Sequence, residues 1–468
     1  MSITWDREAA AHLARRAGVG ATPAELDSWV QAGLDATVDR LVNYGAVDNS
    51  VLESDLQTLT TSVVPPATAP LYDLSRIDGV RRWFLHRLVF TKRPLEEKMT
   101  YLWNLWWTSG ITKVLGVTLM LNQNKTMRQY ALGKFDDIVV AISQDPAMLI
   151  WLDNALSKAG RPNENYAREL MELFTLGVDN YSQADVTEVA RALCGWTVQG
   201  YTSADNYNGA KFFDNTAQHD NGTKTILGQT GNWNGRDAIR IILEYSDNRG
   251  SVSGRFVANK LWTFFAYHDP PDWIVDELAG VYVSSGRSIQ AVVEHIFRME
   301  EFYAAHARKV LVRSPVEYVA ASLRQLEAKT DMSVPVADLI SMGQAFFDPA
   351  DAKGPEGDLE WINTGTVFAR ASTTNKFLTN RGSAGTRIDV NQLVSGKTLA
   401  TAADVVNAFA DRFGLSDIPP ETRAAWAKYV DSNPDGSAGY WRNEPTRLDV
   451  KVRGLLHLML TSPDYHLC

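Results

Sequence analysis

Cysteine is nearly absent from the chain: Cys194 and Cys468 are the only two in 468 residues. A disulfide framework and a CxxC zinc site are thereby excluded. There is no run of basic residues either, and 55 acidic against 46 basic side chains give a net charge of -9. A nucleic-acid binder would carry a basic patch or stripe, so no nucleic-acid partner is expected. Nowhere do about 18 apolar residues follow one another, so no membrane span is expected. The opening "MSITWDREAAAHLARRAGVG" has no apolar segment of the secretory type, and the expectation is a soluble protein, cytoplasmic by default. Also missing are GxSxG, HExxH, a P-loop and a GxGxxG in a strand–helix setting.

What is present is an ordinary globular mixture, 45% hydrophobic and 22% charged, with an unusual fourteen tryptophans. Tryptophan fills cores, and exposed it forms the flat platforms that grip sugars. The local punctuation is helical. Thr22, Pro23 and Glu25 read as a capping box with proline at the first helical position, after a helix around Asp6 to Ala17. Pro94, Glu96 and Glu97 suit a helix start in "RPLEEKMTYLWNLWWTSG". Further helices are expected near 122–132, 134–143 and 145–153, then from 237 to 345, around 364–378 and from 401 to 461. Residues 44–70, with "TTSVVPPATAP", read as a loop. The fold class is all-α: one large helical domain over 1–468, with a polar loop or small β-hairpin insertion at 195–235 and a Gly/Pro-rich loop at 346–364. The insertion is long enough to act as a lid.

The segment "RPNENYARELMELFTLG" concentrates the chemistry. With Asn163 as N-cap, a helix over Glu164–Leu176 puts Tyr166, Ala167, Leu170, Met171, Leu173 and Phe174 on one side. Glu164, Asn165, Arg168, Glu169 and Glu172 fall on the other, and Gly177 closes it. Such a face is what any surface helix shows. Lining a cleft, it would be more. One glutamate held ionised by Arg168 and another not would titrate apart, as acid–base chemistry requires. Asn and Glu are equally calcium- or magnesium-type ligands, and spacing does not separate the two. The next helix opens on Ser182 with Asp185 as a second capping box.

The run from Pro146 to Val198 that contains this segment closely resembles the signature region of the bacterial family catalogued as domain of unknown function 1800. "HLARRAGVGATPAEL", "RPLEEKMTYLWN", "HDNGTKTILG", "FVANKLWTFF", "KVLVRSPVEYV" and "GQAFFDPADAKGPEGDLEWIN" agree in order, so the resemblance spans nearly the whole chain. It implies no reaction. Two positions depart from the pattern. Where the family commonly reads Trp-His-Asn-His, this chain has Trp103, Asn104, Leu105 and Trp106. Where many members have histidine after "ELMEL", it has Phe174. A histidine-based role does not carry over.

The expected function is a carbohydrate-active hydrolase or lyase acting on an oligosaccharide or polysaccharide. Glu164, Glu169, Glu172, Arg168 and Asp153 are its candidate catalytic residues, and Asn163, Asn165, Tyr166, Trp196, His219, Asp220 and Trp106 its candidate substrate contacts. Carboxylates at i and i+3 of one helix are too close to flank a scissile bond. A second carboxylate must come from elsewhere, with Asp153, Asp185 and Asp220 as options. His219–Asp220 reads either as a turn or as part of the lid, and the "WNLWW" cluster either as core or as platform. No cofactor is expected, with a Ca2+ or Mg2+ site as the metal-dependent variant. The alternative is a non-catalytic helical binding or scaffold protein.

Overall fold

The computed structural model describes residues 3–63, 67–200, 207–355, 357–382 and 384–468. Among these the chain forms twenty-four α-helical segments and three antiparallel strand pairs, which makes it mainly α. No described helix is long and apolar enough to cross a membrane. One cluster of buried apolar side chains runs from Ala9 to Tyr465.

The helix starts follow local chemistry. Thr22 with Glu25 and Ser182 with Asp185 form reciprocal capping boxes, and the same device recurs at Asn234, Ser314, Asn363 and Thr401. Each satisfies amide groups that a helix N-terminus leaves open. The tryptophans of "WNLWW" are core. Trp103 and Trp107 are buried and stacked at 4.8 Å, with Phe135 5.9 Å from Trp107. Trp106, at 6% exposure, tilts against Trp103.

Two local expectations are corrected. The charge-poor 44–70 stretch holds a helix, Ser50–Thr61, because Leu52 and Leu56 lie one turn apart and bury together. The glutamate helix is α-helical only over Glu164–Glu169. Leu170–Thr175 widens into a π-helical turn, where the Leu176 amide donates to the Met171 carbonyl at 2.8 Å. The Thr175 hydroxyl, fully buried, donates to the Leu170 carbonyl five residues back and stabilises the wider turn. The buried side is the one expected, with Tyr166, Ala167, Leu170, Met171 and Phe174 inside. In the 195–235 stretch, Trp196–Gln199 pairs with Lys211–Asp214 and Lys224–Ile226 with Gln229–Gly231; residues 201–206 of that stretch lie outside the described residues.

One buried polar connection joins distant parts of the core. The Lys98 ammonium, in the Pro94–Trp106 helix, ion-pairs with Glu317 at the start of Pro315–Gln325. Glu317 also closes the Ser314 capping box. Tyr101, one turn along from Lys98, donates to the Ser314 hydroxyl at 2.9 Å, and Gln344 donates to the Tyr101 hydroxyl at 2.7 Å. Lys98→Met leaves a carboxylate without its cation in this interior and is expected to cost about 3 kcal/mol. In urea denaturation, the double variant Lys98→Met/Glu317→Gln should recover part of that loss; a single variant as stable as wild type would contradict the pairing.

Candidate functional site

The glutamate face is only partly free. Asn163 caps the helix through the Asn165 amide at 2.9 Å. Glu164 accepts from the Thr187 hydroxyl at 2.7 Å and from Gln183 at 2.8 Å, with Arg168 at 3.5 Å, and these contacts lower its pKa. Arg168 itself donates to Gln183 at 2.7 Å. Glu172 accepts from Tyr181 at 2.5 Å. Glu164 and Arg168 therefore bind this helix to Gln183–Ala192, and Glu172 binds it to the connecting turn. Glu169 differs. It is half-buried and has no hydrogen-bond partner among the described residues. Burial raises its pKa, the Glu172 and Asp351 carboxylates raise it further, and Arg168 opposes them.

Several expected contacts lie elsewhere. Tyr166 is 1% exposed, donates to Ser143 inside the core, and cannot meet a ligand. Trp196 is buried edge-on against Phe212 and leaves no platform. Trp106 offers no open face either, although its ring borders a small cavity described below. Of the second carboxylates, Asp153 pairs with Lys113 at 2.8 Å, Asp185 caps its helix and accepts the Leu227 amide at 2.7 Å, and Asp220 is held by Arg191 at 2.8 and 3.1 Å. That guanidinium, the largest influence, holds Asp220 down at about 2. His219 bonds through Nδ1 to the Cys194 carbonyl at 3.1 Å. The insertion is thus tied to Gln183–Ala192 through Asp220, Leu227 and the Thr225 amide on Glu188. None of its described residues hydrogen-bonds to Glu169 or Glu172.

The segment that comes within electrostatic range of Glu169 is instead the Gly/Pro-rich loop, through Asp351. This loop wraps the C-terminal end of the Pro94–Trp106 helix. Thr108 donates to the Asp351 and Ala352 carbonyls at 3.2 and 2.8 Å. The Asp351 side chain accepts the Lys353 and Gly354 amides at 3.0 and 3.2 Å. Gly354 is required there: its φ is +72°, and a Cβ would stand 2.9 Å from the Leu105 carbonyl oxygen. Phe347 holds φ +62° with its carbonyl fixed by the Ile111 amide at 2.8 Å. Left-handed backbone in a non-glycine residue costs energy that the surrounding contacts must hold, and it concentrates at working sites.

Between the loop and the helix end lies a cavity of about 660 Å³. Asp348, Asp351 and Glu360 line it with the amides Asn104, Gln344 and Asn363, the hydroxyls of Tyr101, Thr108 and Ser109, and the rings of Phe346 and Trp361. A smaller cavity of about 190 Å³ shares Tyr101, Leu105, Lys353, Pro355 and Trp361 with it. Behind the wall, Gln123 donates to Ser109 at 3.1 Å and to Asp145 at 2.8 Å. Burial pushes the Asp145 carboxyl up to about 7. No group of three or more His, Cys, Asp or Glu positioned to hold a metal ion occurs among the described residues.

Sequence reasoning missed this cavity. The signals it offered were a long loop punctuated by Pro349, Gly354, Pro355 and Gly357, and the departures at Asn104 and Trp106, which line the larger and smaller cavities respectively. The family described as Protein of unknown function (DUF1800) matches residues 12–467. No curated protein and no solved structure matches the chain.

The raised Asp145 carboxyl predicts a pH dependence. From about pH 4 to 7 the folded state keeps a proton that the unfolded chain has lost, so stability falls as pH rises through that window and is level above it. Asp145→Asn keeps the acceptor for Met148 and removes the ionisation. Its melting temperature relative to wild type should climb between pH 5 and 7, and a constant difference would contradict the assignment.

Proposed function

We propose that this chain, which belongs to the DUF1800 family, is an enzyme acting on a carbohydrate or similarly polyhydroxylated substrate seated in the larger cavity. The observation that carries the reading is that Asp351 belongs both to the cavity lining and to the electrostatic surroundings of Glu169. Acids, amides and hydroxyls around an aromatic wall match a ligand that presents many hydroxyls and an apolar ring face.

In this reading Glu169 is the general acid. Its raised pKa keeps a proton available where an ordinary glutamate would have lost it. Asp351, brought in by a different part of the chain, serves as the second carboxylate that one helix cannot supply by itself. Asn104 and Asn363 orient hydroxyl groups. Glu164, Arg168 and Glu172 hold the acid's helix in place through their neighbours. Those same engagements favour a second reading, in which the face is structural and the cleft binds a saccharide without turning it over.

A panel of neutral and acidic oligosaccharides, assayed for new reducing ends and for absorbance of unsaturated products, separates hydrolysis from lysis. Glu169→Gln and Asp351→Asn are expected to lower turnover by about 10²–10⁴ while binding persists. Binding by wild type with no turnover would favour the second reading. If no saccharide binds, or both variants turn over at the wild-type rate, the proposal fails.

A further inference from the structure

Four side-chain hydroxyls line the larger cavity, those of Tyr101, Thr108, Ser109 and Thr366. Three have committed their protons to the protein. Tyr101 donates to Ser314 at 2.9 Å, Thr108 to the Asp351 and Ala352 carbonyls, and Thr366 to the Trp361 carbonyl at 2.9 Å. Ser109 is the exception. Its oxygen accepts the Gln123 amide at 3.1 Å, and no described residue accepts its own proton. An amide N–H can only donate, so this contact makes the hydroxyl an acceptor on the protein side and leaves its O–H unspent. Ser109 is 4% exposed and borders the cavity, so the partner left to that proton is whatever fills the cavity, water or a ligand oxygen.

The device that holds Ser109 is built deeper. Gln123, 2% exposed in the Val117–Gln129 helix, donates from the same nitrogen to Asp145 at 2.8 Å. The Asp145 oxygen concerned also accepts the Met148 amide at 3.1 Å, so it stays an acceptor in either protonation state of the carboxyl. That fixes which end of the Gln123 amide faces Ser109, since a reversed amide would set its oxygen against the Asp145 acceptor. The backbone is pinned on both sides as well. Thr108 holds the Gly/Pro-rich loop through its hydroxyl, and the Ile111 amide donates to the Phe347 carbonyl at 2.8 Å. Gly110 packs so closely on Trp151 that a Cβ would stand 2.7 Å from the ring. A donor held by its neighbours in this way loses little freedom when a ligand arrives.

We propose that Ser109 is a ligand contact in the larger cavity: its hydroxyl donates to one oxygen of the saccharide, and Gln123, anchored on Asp145, is the positioning residue that aims it. This rests on the saccharide reading above and adds to it the residue that selects at one position of the sugar. A sugar hydroxyl both donates and accepts. Ser109 calls on the accepting oxygen, whereas ionised Asp348 and Asp351 in the same lining take only donated protons. A sugar without an oxygen at that position leaves the Ser109 donor unpaired, which is how a site built for a hydroxyl rejects the deoxy analogue.

Titration calorimetry on wild type, Ser109→Ala and Gln123→Met tests this, with calorimetric unfolding of each variant to show that it is folded. Cellotriose, maltotriose, N-acetylchitotriose and trigalacturonate are compared first. The tightest binder is then taken through its monodeoxy and monodeoxyfluoro analogues. In wild type, deoxygenation at one position is expected to weaken binding by about five- to tenfold. Fluorine at that position, which accepts but cannot donate, should restore part of the loss. Ser109→Ala should weaken the parent sugar by a similar factor and bind that one deoxy analogue as wild type does. Gln123→Met, which frees the hydroxyl to turn, should show a smaller loss confined to the same position. A structural role would shift every analogue alike. That pattern, or Ser109→Ala binding the parent sugar as tightly as wild type, would overturn the assignment while leaving the saccharide reading standing. Failure of all four trisaccharides to bind would overturn both.

Discussion

The architecture of the cleft depends on one buried ion pair, Lys98 with Glu317. Taking both charges out of water is costly, and their attraction offsets that cost only where geometry is good and the remaining polar atoms are satisfied. Here they are: Glu317 accepts the Ser314 amide and hydroxyl, Ser314 accepts from Tyr101, and Tyr101 accepts from Gln344. This chain of contacts begins in the Pro94–Trp106 helix, passes through the start of Pro315–Gln325 and ends at the base of the Gly/Pro-rich loop. It forms the wall between the two cavities, since Tyr101 lines both, Glu317 the smaller and Gln344 the larger.

Upon that wall the loop is folded back rather than left loose. Thr108 and the Asp351 side chain fix its backbone, and Gly354 lets it approach the Leu105 carbonyl. The π-helical turn at Leu170–Thr175 changes the helical register between Glu169 and the residues that follow. Such single widened turns recur at functional sites. Glu172 meets Tyr181, while Glu169 is left with only through-space charge interactions. A carboxyl from a helix and a carboxylate from a remote loop are brought into one electrostatic environment, which neither segment could achieve alone.

Much of the fold was legible because its signals are local. Thr22–Glu25 and Ser182–Asp185 announce helix starts within four residues, and the 3.6-residue period placed Tyr166, Leu170 and Phe174 inside. The Ser50–Thr61 helix escaped because it has no side-chain cap and only two fully buried residues, Leu52 and Leu56. The π-helical turn escaped because an ideal helical wheel assumes one register throughout. Of the site, Glu169 could be named but not told apart from Glu164 and Glu172, since what separates them is the Thr187, Gln183 and Tyr181 partners. The cavity was illegible for a different reason. Lys98 and Glu317 are 219 residues apart, as an unaligned sequence does not reveal. The tryptophans of "WNLWW" could be read either way until burial placed Trp103 and Trp107 in the core.

Ligand is expected to engage the Gly/Pro-rich loop and the adjoining helix end, not the insertion. Hydrogen–deuterium exchange with and without a saturating concentration of the tightest-binding saccharide measures this directly. The account predicts protection concentrated at residues 343–363 and 104–109, with 207–231 unchanged. Protection at 207–231 and along 163–168, with none at 343–363, would contradict it.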